Sequence, residues 1–195
     1  LSYAFFRWFP AKAGRTLVTS EGLAGVLSVH GLGHLVLCPS AVDTDTFRPD
    51  NPLSLDGQRP IFMYMGRVSK EKNIEAFLSL TLPGTKYVVG DGPYRAALER
   101  KYPAAQFTGY KFGRELAAAD VYVFPSLTDT LGLSNLEANA CGVPIAALPS
   151  LASRTVVKDG VNGIVSDDLR EASMRALHLS RDAARQEALR YSLRT

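Results

Sequence analysis

An α/β domain, with a parallel sheet covered on both faces by helices, is the fold class this sequence predicts, and three observations predict it. Short apolar, β-branched runs alternate with helical patterns of eight to twelve residues through most of the 195-residue chain. That alternation is what βαβ units produce. The runs themselves, such as IFMYM and VYVF, are almost continuously apolar, as strands buried on both faces must be. The residues capable of chemistry cluster just after the ends of those runs, where open α/β sheets hold their ligands near a topological switch point.

Taken in order, residues 15–19 (RTLVT) read as a strand, SEGLAGVLSVHG as a capped helix and residues 34–39 (HLVLCP) as a second strand. The stretch that follows, up to about residue 60, is dense in Pro, Asp, Gly and Ser and reads as a linker. A second series then runs strand 61–66, helix 72–80, strand 85–90, helix 93–101 and strand QFTG. It continues with a short helix 113–119, strand 120–125, helix 134–141 and strand 143–148. From Asp167 to Arg190 two helical patterns carry interleaved arginines, which read as a solvated face.

A hydrophobic content of 46% and a charged content of 21% are those of a soluble globular chain. A net charge of +3, evenly spread, excludes nucleic acid as a partner and is only weakly suited to anionic ligands or an acidic membrane surface. Cys38 and Cys141 read as buried free thiols in a reducing cytosol, and His30, His34 and His178 form no ligand cluster, so no metal site is expected. No apolar run approaches the ~18 residues of a membrane span. The aromatic start, with Tyr3, Phe5, Phe6, Trp8 and Phe9, is broken by Arg7 and ends on Pro10, unlike a signal peptide. Packing against another domain and a peripheral touch on lipid both remain open for it. Without an initiator methionine, the chain is expected to be a fragment, a processed chain or an expressed piece of a longer one.

Four strand ends are candidates for the chemistry. After residue 65 comes GRVSKEKN: Gly66 lets the backbone turn, and Arg67 with Lys72 gathers positive charge at a helix start. The macrodipole disfavours cations there unless an anion such as a diphosphate sits among them, although a solvated helix start explains them equally well. After residue 89, GDGPYR invites comparison with a dinucleotide fingerprint, but Arg95 occupies the third glycine position, and a tight turn opening a helix at Pro93 is the better account. After strand QFTG, the loop Gly109–Tyr110–Lys111 could present backbone groups to a flat base, or else is a plain turn. After Pro125, DTLGLSNLE places Asp129 and Glu137 eight positions apart around Gly132. The amides of Gly132, Leu133 and Ser134 open a helix and suit phosphate. The two acids suit sugar diols, or else are a turn residue and a surface charge.

The segments GRVSKEKN, VVGDGPYRAALE, FTGY, ADVYVFPSLTDTLGLSNLEANACGVPIAA and DGVNGIVSDDL occur here in one order. Together they resemble the donor-sugar half of the retaining GT-B glycosyltransferases of the "glycosyl transferases group 1" type, a family-4-like group. The similarity spans about residues 15–192, and TDTLG resembles the branch of bacterial α-mannosyltransferase and sulfolipid-synthase-like enzymes. The resemblance implies a Rossmann-like parallel sheet, the C-terminal half of a GT-B fold. It implies a remnant of the N-terminal acceptor-side domain in 1–40, a linker in 41–59, a nucleotide-sugar donor domain in 60–180 and a truncated C-terminal helix in 181–195.

By that resemblance, Arg67 and Lys72 hold the donor diphosphate, Asp129 contacts the transferred sugar, Glu137 binds the ribose and Gly109–Lys111 meet the base. The implied activity is transfer of a hexose, with retention, from a UDP-sugar or GDP-sugar to a lipid or saccharide acceptor, with no metal or cofactor. The implied location is cytoplasmic, with peripheral attachment to the inner membrane face as an open alternative. A catalytically silent nucleotide-sugar-binding module is the competing function. The chain departs from the family pattern in three places. It is shorter between GYKFGRELA and AADVYVF, PSLASRTVV lacks the acid that usually precedes its valines, and Ala41 replaces a usual glycine.

Overall fold

The computed structural model describes residues 14–50, 52–111 and 115–192. The aromatic start, Tyr3 to Phe9, and the first part of the helix expected at 113–119 lie outside the described residues. The chain divides into two compact units, Leu1–Ala41 and Val42–Thr195. In the first, β1 (Thr16–Val18) and β2 (Leu35–Leu37) pair in parallel, with α1 (Glu21–Val29) between them in sequence. Ser20 caps that helix by accepting from the Leu23 amide at 3.2 Å.

The second unit is built on a six-stranded sheet. Its strands are β3 (Ile61–Met65), β4 (Thr85–Val89), β5 (Gln106–Gly109), β6 (Val121–Phe124), β7 (Ile145–Ala147) and β8 (Gly163–Val165). Every pairing is parallel and the order is β5-β4-β3-β6-β7-β8. The chain winds outward in one direction from β3 to β5, then returns and winds the other way from β6 to β8. The direction reverses between β3 and β6, and in such sheets that crevice is where ligands bind.

The apolar runs explain the layers. Alternate residues of β3 face opposite sides: Ile61 and Met63 join one core, Phe62 and Tyr64 the other. The first core packs under α4 (Leu133–Ala140) and α5 (Leu151–Val156) through Ala138 and Ala152. The second packs under α2 (Ile74–Leu78), α3 (Arg95–Lys101) and α6 (Leu169–Ala176) through Phe77, Leu98 and Ala172. Phe62 and Phe77 are fully buried, each worth about 1.5–3 kcal/mol against exposure. The last helix, α7 (Arg181–Leu189), lays Ala188 against Leu136 and Ala140 of α4.

The structure corrects several expectations. The helix expected at 72–80 is a single 3-10 turn, Lys70–Lys72, followed by α2. Asn73 separates them in the left-handed region, at φ 54°, which Asn tolerates better than most residues. Its side-chain amide donates to the Pro125 carbonyl at 3.1 Å. Within 113–119 the described part is a 3-10 turn, Leu116–Ala118. The helix α5 and strand β8 were not foreseen, because each is short and sits among turn residues. The arginines of the tail are not all solvated. Arg181 donates to the carbonyls of Ala119 and Ala117 at 2.7 and 3.0 Å. Arg185 donates to Phe47 and Thr44 at 2.6 and 3.1 Å and to Ala140. Both cysteines are free, but only Cys141 is buried; Cys38 is exposed.

Candidate functional site

The ends of β3 and β4 approach each other backbone to backbone. Gly66 donates to the Val89 carbonyl at 2.9 Å, and Val68 to the Asp91 carbonyl at 2.8 Å. Gly90 sits at φ +135°, where a Cβ would lie 1.9 Å from the Gly66 carbonyl oxygen. The glycines of GDGPYR therefore serve this contact between two turns, which accounts for them without a dinucleotide.

Beside these turns opens a cavity of about 570 Å³, within the range of small-molecule sites. It is lined by Thr46, Phe47, Met65, Gly66, Arg67, Val89, Gly90, Asp91, Tyr110, Lys111, Ser134 and Glu137. Segments distant in sequence meet there: the linker, the ends of β3, β4 and β5, and the first turns of α4. Six residues picked out from the sequence line it, namely Gly66, Arg67, Tyr110, Lys111, Ser134 and Glu137. Thr46 and Phe47 were missed because they lie in a stretch read only as linker. Arg185 holds that stretch in place through the Thr44 and Phe47 carbonyls.

The other five selected residues stand outside this lining. Gly109 ends β5 and accepts from the Gly90 amide at 2.8 Å. Gly132, at φ +69°, caps α4, and Leu133 opens it half exposed. Among the described residues, none accepts from the Leu133 or Ser134 amide, which is the usual state of a helix's first N–H groups. Lys72 and Asp129 form an ion pair with each other. Two further bonds join the same loops: Asn73 to Pro125, and the Thr128 hydroxyl to the Glu71 carbonyl at 3.3 Å.

Charge in the cavity is mixed. Arg67 and Lys111 bring cations, Asp91 and Glu137 carboxylates. Asp91 is engaged, accepting from the Gly92 amide at 2.7 Å and from Arg95 at 3.2 Å. Glu137 has no partner among the described residues, and burial pushes its carboxyl above the usual range. Behind it, the fully buried Tyr122 reaches Ser134 and Met65 with its hydroxyl. Among the described residues, no group of three or more His, Cys, Asp and Glu side chains is placed to hold a metal ion, and no helix is long and apolar enough to cross a membrane.

A doubly wound parallel sheet with a mixed-charge cavity at its reversal point defines a class of open α/β proteins that hold their ligands in that crevice. The comparisons narrow it. Residues 59–182 match the family model described as Glycosyl transferases group 1, and the chain belongs to that family. It is 33% identical over 165 residues to sulfoquinovosyl transferase SQD2 of Arabidopsis thaliana, covering 74% of this chain and 32% of that protein. To the GDP-mannose-dependent alpha-mannosyltransferase of Mycolicibacterium smegmatis it is 34% identical over 179 residues, covering 85% of this chain and 48% of that protein. The chain thus spans about a third to a half of the length of these relatives. It superimposes with a TM-score of 0.79, at 21% identity, on sucrose-phosphate synthase from Thermosynechococcus elongatus, covering 97% of this chain and 57% of that one. The solved structures it matches are GT-B glycosyltransferases, and the Rossmann-like α/β architecture expected from the sequence is theirs.

Proposed function

We propose that this chain is the donor-binding part of a glycosyltransferase that transfers a hexose from a nucleotide-diphosphate sugar. The observation that carries the reading is the cavity at the sheet's reversal point, where Gly66, Arg67, Tyr110, Lys111, Ser134 and Glu137 converge from separate loops. A base meets Tyr110 and Lys111 beside Gly109, the ribose meets Glu137, and the diphosphate meets Arg67 together with the amides of Gly132, Leu133 and Ser134. Lys72 joins that phosphate site by leaving Asp129, and the freed carboxylate turns to the transferred sugar. Several relatives are named as GDP-mannose-dependent, which supports GDP as the first nucleotide to test, with UDP second.

Chemically, the bond between the sugar's anomeric carbon and the diphosphate breaks with its electron pair going to the diphosphate. Arg67 and Lys72 stabilise that developing charge, and an acceptor hydroxyl oxygen forms the new bond to the anomeric carbon while its proton passes to the departing diphosphate. We assign retention of configuration, a lipid or saccharide acceptor, independence of metal and cofactor, and a cytoplasmic or membrane-peripheral location to this same proposal. We also carry over the expected division into 1–40, 41–59, 60–180 and 181–195. The test is calorimetry of the chain against GDP, UDP and their hexose conjugates, beside Arg67→Ala and Glu137→Ala. Micromolar-to-millimolar binding of one nucleotide, weakened at least tenfold by both substitutions, supports the reading. A parent that binds no nucleotide diphosphate overturns it.

A further inference from the structure

The turn after β3 is held on both sides of Arg67. The Gly66 amide donates to the Val89 carbonyl at 2.9 Å and the Val68 amide to the Asp91 carbonyl at 2.8 Å, while the Val68 carbonyl accepts from the Tyr94 amide at 3.1 Å. Between these anchors the Arg67 carbonyl is met from the core by a side chain. The Tyr64 hydroxyl donates to it at 2.9 Å. Tyr64 is 2% exposed, with its ring in the core beneath α2 and α3. Burial, with Tyr122, Asp129 and Glu71 nearby, holds its phenol well above the ordinary range, so it keeps the proton it donates. Gly66 makes the room. Its φ is +152°, and a Cβ there would lie 2.9 Å from the Tyr64 hydroxyl oxygen, too close for both to fit.

Arg67 differs from the cations around it. Lys72 pairs with Asp129, Lys70 lies over the Tyr94 ring at 5.6 Å, and Arg95 holds Asp91 and Glu99. The Arg67 guanidinium makes no hydrogen bond or ion pair among the described residues, and has only a longer-range attraction to Glu71. Its side chain is exposed and lines the cavity. Without a side-chain partner to aim it, its direction follows from the backbone that carries it, because backbone dihedrals select the rotamer. A small error in aim matters at such a site.

We propose that Tyr64 is a positioning residue, which aims Arg67 at the diphosphate of a nucleotide sugar by holding the Arg67 carbonyl from beneath the turn. Tyr64 itself touches no ligand. The inference rests on the nucleotide-sugar reading above and adds the buried group that sets the direction of its cavity cation.

The experiment compares affinity for GDP and UDP, by calorimetry, with affinity for guanosine and uridine, by ligand-observed NMR. The nucleosides carry base and ribose without the diphosphate. The proteins are the parent, Tyr64→Phe, Arg67→Ala and the double variant, each with a thermal melt. Tyr64→Phe is expected to weaken the diphosphate that the parent binds by about threefold to tenfold, the scale of one hydrogen bond, and to leave the matching nucleoside within about twofold. In the Arg67→Ala background the same change is expected to alter diphosphate affinity by less than about 1.5-fold, because the two residues act as one. Replacing Tyr64 with 4-aminophenylalanine, which restores an N–H donor, is expected to return the affinity. A merely structural role would lower nucleoside and diphosphate affinities together, or persist without Arg67, and either result overturns the inference. Unchanged diphosphate affinity in Tyr64→Phe overturns it as well. If Tyr64→Phe does not fold, 4-fluorophenylalanine in place of Tyr64, which fills the space of the hydroxyl with no proton to give, decides by the same comparisons. If that variant does not fold either, the hydroxyl serves stability and the inference is overturned. A parent that binds neither nucleotide diphosphate removes the underlying reading, and the inference with it.

Discussion

Lys72 and Asp129, 57 residues apart in sequence, form an ion pair that ties the loop after β3 to the loop after β6. Their side chains are 25% and 21% exposed, so the pair is neither a freely solvated bridge nor a buried one. Both residues stand out in the sequence as ligand groups, yet here each neutralises the other. A diphosphate approaching Lys72 competes with Asp129.

That competition has a measurable sign. Asp129→Asn removes the competitor, and binding of GDP or UDP without a sugar is expected to tighten about threefold to tenfold, matching roughly 1 kcal/mol for a partly exposed pair. Lys72→Met is expected to weaken the same binding by more than tenfold. Titration calorimetry reads both. A weakening by Asp129→Asn would show that the carboxylate holds Lys72 in its working position and does not compete with the ligand. Neither substitution should change unfolding stability by more than about 1 kcal/mol.

Glu137 predicts a pH-dependent trade between stability and binding. Its carboxyl is raised by burial and has no partner among the described residues. Between its unfolded and folded values the native state holds more proton than the unfolded chain. Linkage then makes stability fall as pH rises through that window. The penalty is absent below the unfolded value and complete above the folded one. Glu137→Gln is therefore expected to raise Tm at pH 7 and to change it little at pH 4, while weakening nucleotide binding. Melts at the two pH values check the first part. An equal change at both would mean that packing, not charge, sets the effect.

Most of the sheet was legible because its signal is local. Ile61–Met65 and Val121–Phe124 are apolar throughout, which is what burial on both faces demands. The strand ends followed, and with them six of the cavity residues. What escaped was decided at a distance. Whether Lys72 faces a ligand or Asp129 depends on a residue 57 positions away. Phe47 is a cavity wall because the Asp43 carbonyl, the core beneath it and Arg185 of the last helix, which holds its carbonyl at 2.6 Å, fix it in place. Gly163–Val165 is too short to announce itself, and it is a strand because β7 supplies the partner.

Gly132 is a position where conformation and crowding together disfavour a side chain. Its φ of +69° lies in the left-handed region, and a Cβ there would lie 2.7 Å from the Asn135 amide nitrogen and 3.0 Å from the Phe124 ring. Both neighbours are buried, so neither can easily withdraw. Gly132→Ala is expected to cost about 1–3 kcal/mol from backbone strain and crowding. Denaturant unfolding should give a lower midpoint with an unchanged slope. Because the first amides of α4 shift with the cap, nucleotide affinity should fall as well. Preserved affinity in a destabilised variant would separate the cap from the ligand.

The EANACGVP segment divides into a cavity-lining residue and a structural one. Glu137 faces the cavity, but Asn139 is fully buried and donates to the Val143 and Asn162 carbonyls, both at 3.0 Å. Asn162 answers it, donating to the Asn139 side-chain oxygen at 2.9 Å and to the Val156 carbonyl at 3.0 Å, and accepting from the Lys158 amide at 2.7 Å. This paired amide joins the end of α4 to the turn before β8 with its polar atoms satisfied. Removing either partner leaves buried groups unpaired, at about 1–3 kcal/mol for each change. Asn139→Ala and Asn162→Ala are each expected to lower stability by about 2–3 kcal/mol, and the double variant by less than their sum, since they share bonds. Nucleotide affinity should stay within about twofold of the parent wherever the variants remain folded, because neither residue lines the cavity. Unfolding curves and calorimetry on the same samples measure both quantities. A loss of affinity without a loss of stability would place Asn139 in the site instead of beneath it.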